Sequence, residues 1–186
     1  MRKLFKKLFL FSPILLIVVF VNYFVDPKSI FRDFYSDRVA DILLSGKNVT
    51  RAEPNRWIEK VYMHKLREKK DVIILGNSQG FMLSSRLFPD QVLFNHSIPS
   101  GSLEDYLAIY GMHHKKGFIP KTVVIVLHKD LLTSGKGRFL WRVLQDDYFD
   151  MMDKLGLQSP WRRAIYIKKE YGELVSFKYF QYSLKN

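Results

Sequence analysis

Residues 71–80 read D-V-I-I-L-G-N-S-Q-G. The run Val72–Leu75 is wholly apolar and largely β-branched, the pattern of a strand covered on both faces. It ends on a glycine, an amide and a serine, Gly76-Asn77-Ser78. In an open α/β sheet the carboxyl ends of the strands are where ligands bind, so the neighbours of this strand decide what the turn is for.

Two further runs share the pattern. Val92–Asn95 and Thr122–Leu127 read as a second and a third strand. Between them lies a helix from Ser102 to about Lys116, with Leu103, Leu107 and Tyr110 at helical spacing and Glu104 and Asp105 at its positive end. Gly117 closes that helix and Pro120 leads into the strand. Upstream, Asn55 caps a helix to about Lys69 with a stripe of Trp57, Ile58, Val61, Tyr62 and Leu66, and Asp37–Leu44 reads as a shorter one. Helices alternating with strands imply an α/β domain with a parallel sheet and right-handed crossovers. From Arg138 the chain reads mostly helical, with a break near Pro160.

The expected organisation has three parts: a basic tail and anchor over 1–27, a connector over 28–54 and the α/β domain over 55–186. The anchor rests on Leu8 to Val25, 18 residues without a charge. As a helix they would span ~27 Å, close to the thickness of a bilayer. Arg2, Lys3, Lys6 and Lys7 precede the run. The expectation is therefore a single transmembrane pass with the N-terminus cytoplasmic and the α/β domain outside.

Composition narrows the chemistry. The 186 residues include no cysteine, which excludes disulfides, thiolate metal sites and cysteine nucleophiles. The net charge of +12 favours an acidic polymer or an anionic surface as partner. The later basic residues are scattered and no nucleic-acid-binding signature accompanies them, so nucleic acid is not expected. Gly76 and Gly80 do not make G-x-G-x-x-G, and S-G-K-G-R at 134–138 lacks the start of a Walker loop, which argues against hydride or phosphoryl transfer. No cofactor and no metal site is expected, since His113 and His114 point apart on a helix.

The three strand-end loops are G-N-S-Q, N-H-S-I-P-S-G and H-K-D. Ser78 on the tight turn is placed as a nucleophile would be, with backbone N–H groups for an oxyanion. Gly101, beginning the next helix, offers a second N–H. The same serine and glycines would equally serve a turn and a helix cap. Gly76, Asn77, Asn95, His96 and His128 are the other residues expected to line this edge.

The segment D-V-I-I-L-G-N-S-Q-G, with L-F-P-D and F-N-H-S-I-P-S-G-S-L-E-D-Y behind it, resembles the SGNH/GDSL hydrolase superfamily over roughly residues 55–150. It is most similar to the membrane-anchored branch holding polysaccharide O-acetyltransferases and the teichoic-acid D-alanine transfer protein. The resemblance implies an SGNH/flavodoxin-like sheet, Ser78 as nucleophile with its own N–H in the oxyanion hole, and Gly101 as a further donor. It implies a serine esterase or acyltransferase acting on acylated cell-envelope polysaccharide. Two family blocks are missing: L-H-K-D at 127–130 stands where an asparagine belongs, and no Asp-x-x-His occurs anywhere. The expected base is therefore unassigned, with His128 and His96 on the correct edge. The chain is expected to be the N-terminal part of a longer protein, or an inactive relative that binds a polymer or a protein partner.

Overall fold

A computed structural model describes residues 2–25, 34–47, 49, 55–128, 131, 139–163 and 174–184, with side chains in the first helix described from Ser12 onward. The expected connector falls largely outside these residues, as do Lys129, Asp130 and the stretch 134–138. The chain divides into two compact units, Asp37–Tyr166 and a terminal unit of Met1–Ser36 with Ile167–Asn186.

In the larger unit the strands are β1 (Val72–Leu75), β2 (Leu93–Asn95) and β3 (Thr122–Ile125), all parallel in the order β2-β1-β3. Val72 pairs with Leu93 on one side and with Thr122 on the other. β1 is central and buried along its whole length, as an uninterrupted apolar run requires. β3 departs from the expectation of a strand covered on both faces, because Val123 and Ile125 are exposed. It is one of the two edge strands, and the described residues leave those side chains partly open.

Helix α2 spans Phe34–Leu44, and α3 spans Arg56–Lys65. Asn55 caps α3 by accepting the Trp57 and Ile58 N–H groups, and Leu66 leaves helical geometry sooner than the periodicity predicts. Helix α4 spans Leu103–Lys115 and opens on a capping box between Ser102 and Asp105. Its buried face is the predicted one only in part, for Leu107 and Tyr110 are partly buried against the core. Asp105, Tyr106, Ala108, Ile109, Met112 and His113 are inside, whereas Leu103 is exposed. A count of apolar positions misses this face because two of its members are polar residues with buried partners.

Instead of a crossover helix, β1 and β2 are joined by two 3₁₀ turns, Ser78–Met82 and Ser85–Leu87. A third, Phe139–Leu144, leads into α5 (Gln145–Lys154), which packs along α4 where Gly111 leaves room for Met151. The core runs from Tyr62, Met63 and Leu66 through Ile73, Leu75, Ile109 and Met112 to Trp141, Leu144 and Tyr148. Tyr62 stacks on Phe94 with ring centres 3.9 Å apart.

The terminal unit joins α1 (Arg2–Val25) to α6 (Phe177–Ser183). Asn22 is buried there and donates to the carbonyls of Leu174 and Ser176 at 2.9 and 3.1 Å. The transmembrane expectation is corrected at this point. Among the described residues no helix is long and apolar enough to cross a membrane. The described part of α1 includes this buried, hydrogen-bonded amide.

Candidate functional site

The strand order creates a switch point. From β1 the chain passes to β2 on one side, then crosses through α4 to β3 on the other, so the connections leave the β1/β3 boundary in opposite directions. A crevice at the carboxyl ends of those two strands is where open α/β sheets hold ligands. Ser78 lies just beyond the end of β1 and His128 just beyond the end of β3.

Close packing explains the glycines. A Cβ on Gly76 would lie 2.7 Å from Ser97 Oγ and 3.1 Å from Val126 Cγ2, and one on Gly80 would meet the same two side chains. On Gly101 it would lie 2.8 Å from the Gly76 carbonyl oxygen. That oxygen also accepts the Ile98 N–H at 3.0 Å. The loops after β1 and β2 therefore interlock, and the strand ends on glycine because its neighbour occupies the side-chain space.

The turn itself is built by amides. Asn77 Oδ1 accepts the Gln79 N–H at 2.9 Å and the Asn77 carbonyl accepts the Gly80 N–H. Asn95 Nδ2 donates to the carbonyls of Gly80 and Leu83, at 2.7 and 2.9 Å, while its Oδ1 accepts the Ser97 N–H. Ser78 is left exposed at the head of the 3₁₀ turn, and no described residue hydrogen-bonds its hydroxyl.

Other residues expected at this edge are engaged elsewhere. The Gly101 N–H donates to the Ile98 carbonyl at 3.1 Å. His96 is fully buried, with Nδ1 2.6 Å from Glu59 Oε2 and Nε2 2.9 Å from His113 Nε2. Its ring faces α3 and α4, on the far side of the backbone from Ser97. Burial, with His96 as a second cause, pushes the His113 pKa down to about 3, so His113 is neutral near pH 7. The two Nε2 atoms share one hydrogen bond, and the tautomers must be complementary.

A buried ion pair fixes the approach to α4. Arg56 Nε and Nη2 meet the two oxygens of Asp105 at 2.7 and 2.6 Å, and Nη2 also donates to the Ser100 carbonyl at 3.1 Å. Ser100 adopts a left-handed conformation, φ 53°, in the turn that this arginine holds. Neither Arg56–Asp105 nor Glu59–His96–His113 was legible as a set. The available signal was a charged residue inside an apolar stripe: Glu59 among Ile58, Tyr62 and Met63, and Asp105 and His113 in line with Ile109.

A model for a family described as a protein of unknown function, DUF1574, matches residues 4–159. The chain belongs to the DUF1574 family. The match covers α1 to α5 and contains every residue of the strand-end site. Neither the curated proteins nor the solved structures contain a match to this DUF1574 chain, so the site must be interpreted from its own geometry.

Proposed function

We propose that this DUF1574 chain carries an SGNH-like serine esterase or acyltransferase site, with acylated cell-envelope polymers as substrate. One observation carries the reading. The Ser78 hydroxyl stands exposed at the carboxyl end of the buried central strand, on a turn that Asn77, Asn95 and three close-packed glycines hold in place. The substrate class rests on the resemblance of G-N-S-Q-G to SGNH hydrolases and on the net charge of +12, which attracts acidic polymers.

In this reaction Ser78 Oγ attacks the ester carbonyl carbon and gives its proton to a base. The base returns it to the departing alcohol as the C–O bond breaks, leaving an acyl-serine. Water then releases the acid, or another hydroxyl accepts the acyl group. The developing oxyanion is assigned to the Ser78 N–H, since Gln79 and Gly80 give theirs to Asn77 and Gly101 gives its own to Ile98. Among the histidines the assignment of base falls to His128, across the switch point, because Glu59 and His113 hold His96.

A fluorophosphonate tests this directly. Parent protein takes up one equivalent, Ser78→Ala takes up none, and His128→Ala reacts ~100-fold or more slowly, as loss of a general base implies. Equal labelling of parent and Ser78→Ala removes Ser78 from the role. A second reading, a binding protein without turnover, is favoured by the engagement of His96 and of the Gly101 N–H. Retention of an acylated polymer by Ser78→Ala, with no ester cleaved by the parent, would establish it.

A further inference from the structure

The connection from β1 to β2 is unusual for a parallel pair. Such crossovers ordinarily lay an amphipathic helix on the sheet and bury its apolar side chains. Here the chain makes two 3₁₀ turns, and its apolar residues face outward: Phe81 is 43% exposed, Met82 87% and Leu87 58%. Single exposed hydrophobes are ordinary on a protein surface. A cluster held outward by a part-buried polar network calls for a cause.

That network is Asn95. Its amide nitrogen bonds the carbonyls of Gly80 and Leu83, the residues on either side of Phe81 and Met82. Gly80 is seated against Ser97 and Val126. Both ends of the four-residue segment are therefore fixed, and collapse of Phe81 and Met82 onto the sheet would break these bonds.

The position relative to Ser78 says what the surface is for. A 3₁₀ helix has three residues per turn, so side chains at i and i+3 eclipse. Ser78 and Phe81 stand in that relation within Ser78–Met82, on one face and separated by ~6 Å along the axis. An ester carbonyl at Ser78 thus has its acyl carbons within reach of the Phe81 ring, and Met82, the next residue a third of a turn further round, extends the exposed apolar surface beside it.

We infer that Phe81 and Met82 form the acyl-chain surface of this site and select esters of several-carbon acids over acetyl esters. The inference rests on Ser78 being the nucleophile, and the experiment separates the two. Parent and Phe81→Ser/Met82→Ser proteins, shown by circular dichroism to melt alike, are assayed on p-nitrophenyl acetate and p-nitrophenyl hexanoate. The parent favours hexanoate in kcat/KM by ~10-fold, as partial burial of four methylenes implies, and the double variant brings that ratio to within about twofold of unity. In parallel, ¹³C-methyl methionine spectra of Ser78→Ala protein are recorded with methyl hexanoate and with methyl acetate. The Met82 resonance, assigned with Met82→Leu, shifts with the former alone.

A hexanoate preference that the double substitution leaves intact overturns the inference, while Ser78-dependent turnover stands. A Met82 methyl that does not distinguish the two esters overturns it as well, whether or not turnover is seen. Absence of turnover and of Ser78 labelling, with the Met82 shift retained, removes the nucleophile and leaves the acyl surface supported.

Discussion

Ser97 shows how much one side chain determines at the residue scale. Its hydroxyl is buried without a hydrogen-bond partner among the described residues and fills the space beside Gly76 and Gly80. Gly76→Ala must displace Ser97 and Val126, and we expect a cost of ~1–3 kcal/mol, the range for overpacking a tight site. Ser97→Ala removes an unpartnered polar atom, so its effect on stability is ~0 or slightly favourable. Combining Ser97→Ala with Gly76→Ala should recover part of the loss, and urea midpoints for the four proteins measure that coupling.

His113 makes a second expectation at the same scale, about pH. Its pKa in the folded chain, about 3, lies below the ordinary histidine value of 6.5. Between these values the unfolded chain binds a proton that the folded chain does not. Stability therefore rises with pH across that window, is fully present above 6.5 and declines as the pH falls towards 3. The slope from this group is at most ~1.4 kcal/mol per pH unit. Glu59 and His96 face the same cluster, so the test compares urea midpoints at pH 4.5 and 7 in the parent and in His113→Gln. A flatter response in the variant identifies His113 as the source; an unchanged response assigns the slope to other groups.

At the scale of elements, the Arg56–Asp105 pair couples the first turn of α3 to the first turn of α4 and to the turn before it. Asp105 also completes the capping box with Ser102. Asp105→Ala leaves a buried guanidinium without its partner and should cost ~3–5 kcal/mol. Loosening of the Pro99–Gly101 turn should appear as faster hydrogen exchange at Ile98 and Gly101. Normal exchange at those amides would mean that the turn is held by its own backbone. In the terminal unit, Asn22 plays the comparable part between α1 and α6.

At the scale of the molecule, the sheet grades from a buried centre to an open edge. The amides of β1 should be the slowest to exchange, since the strand is wholly buried and paired on both sides. The outward amides of β3 should exchange much earlier. Comparable protection of β3 in solution would mean that its exposed edge and the side chains of Val123 and Ile125 are covered by a partner. The switch point depends on this same order of strands, and with it the placement of Ser78 beyond the end of β1 and His128 beyond the end of β3.

The sequence alone determined the local elements. Continuous apolar runs mark β1, β2 and β3 to within two residues, and Asn55, Ser102 and Gly117 mark helix ends, because strand burial and capping depend on neighbours along the chain. The exposed turn at Ser78 was legible for the same reason. The order β2-β1-β3, the inward turn of His96, the commitment of the Gly101 N–H and the covered face of α1 were not. Each depends on a partner remote in the chain: Glu59 for His96, Ile98 and Gly76 for the loop, the segment 174–184 for Asn22. A polar residue in an apolar stripe shows only that a buried partner is needed. Tertiary packing alone decides which residue supplies it.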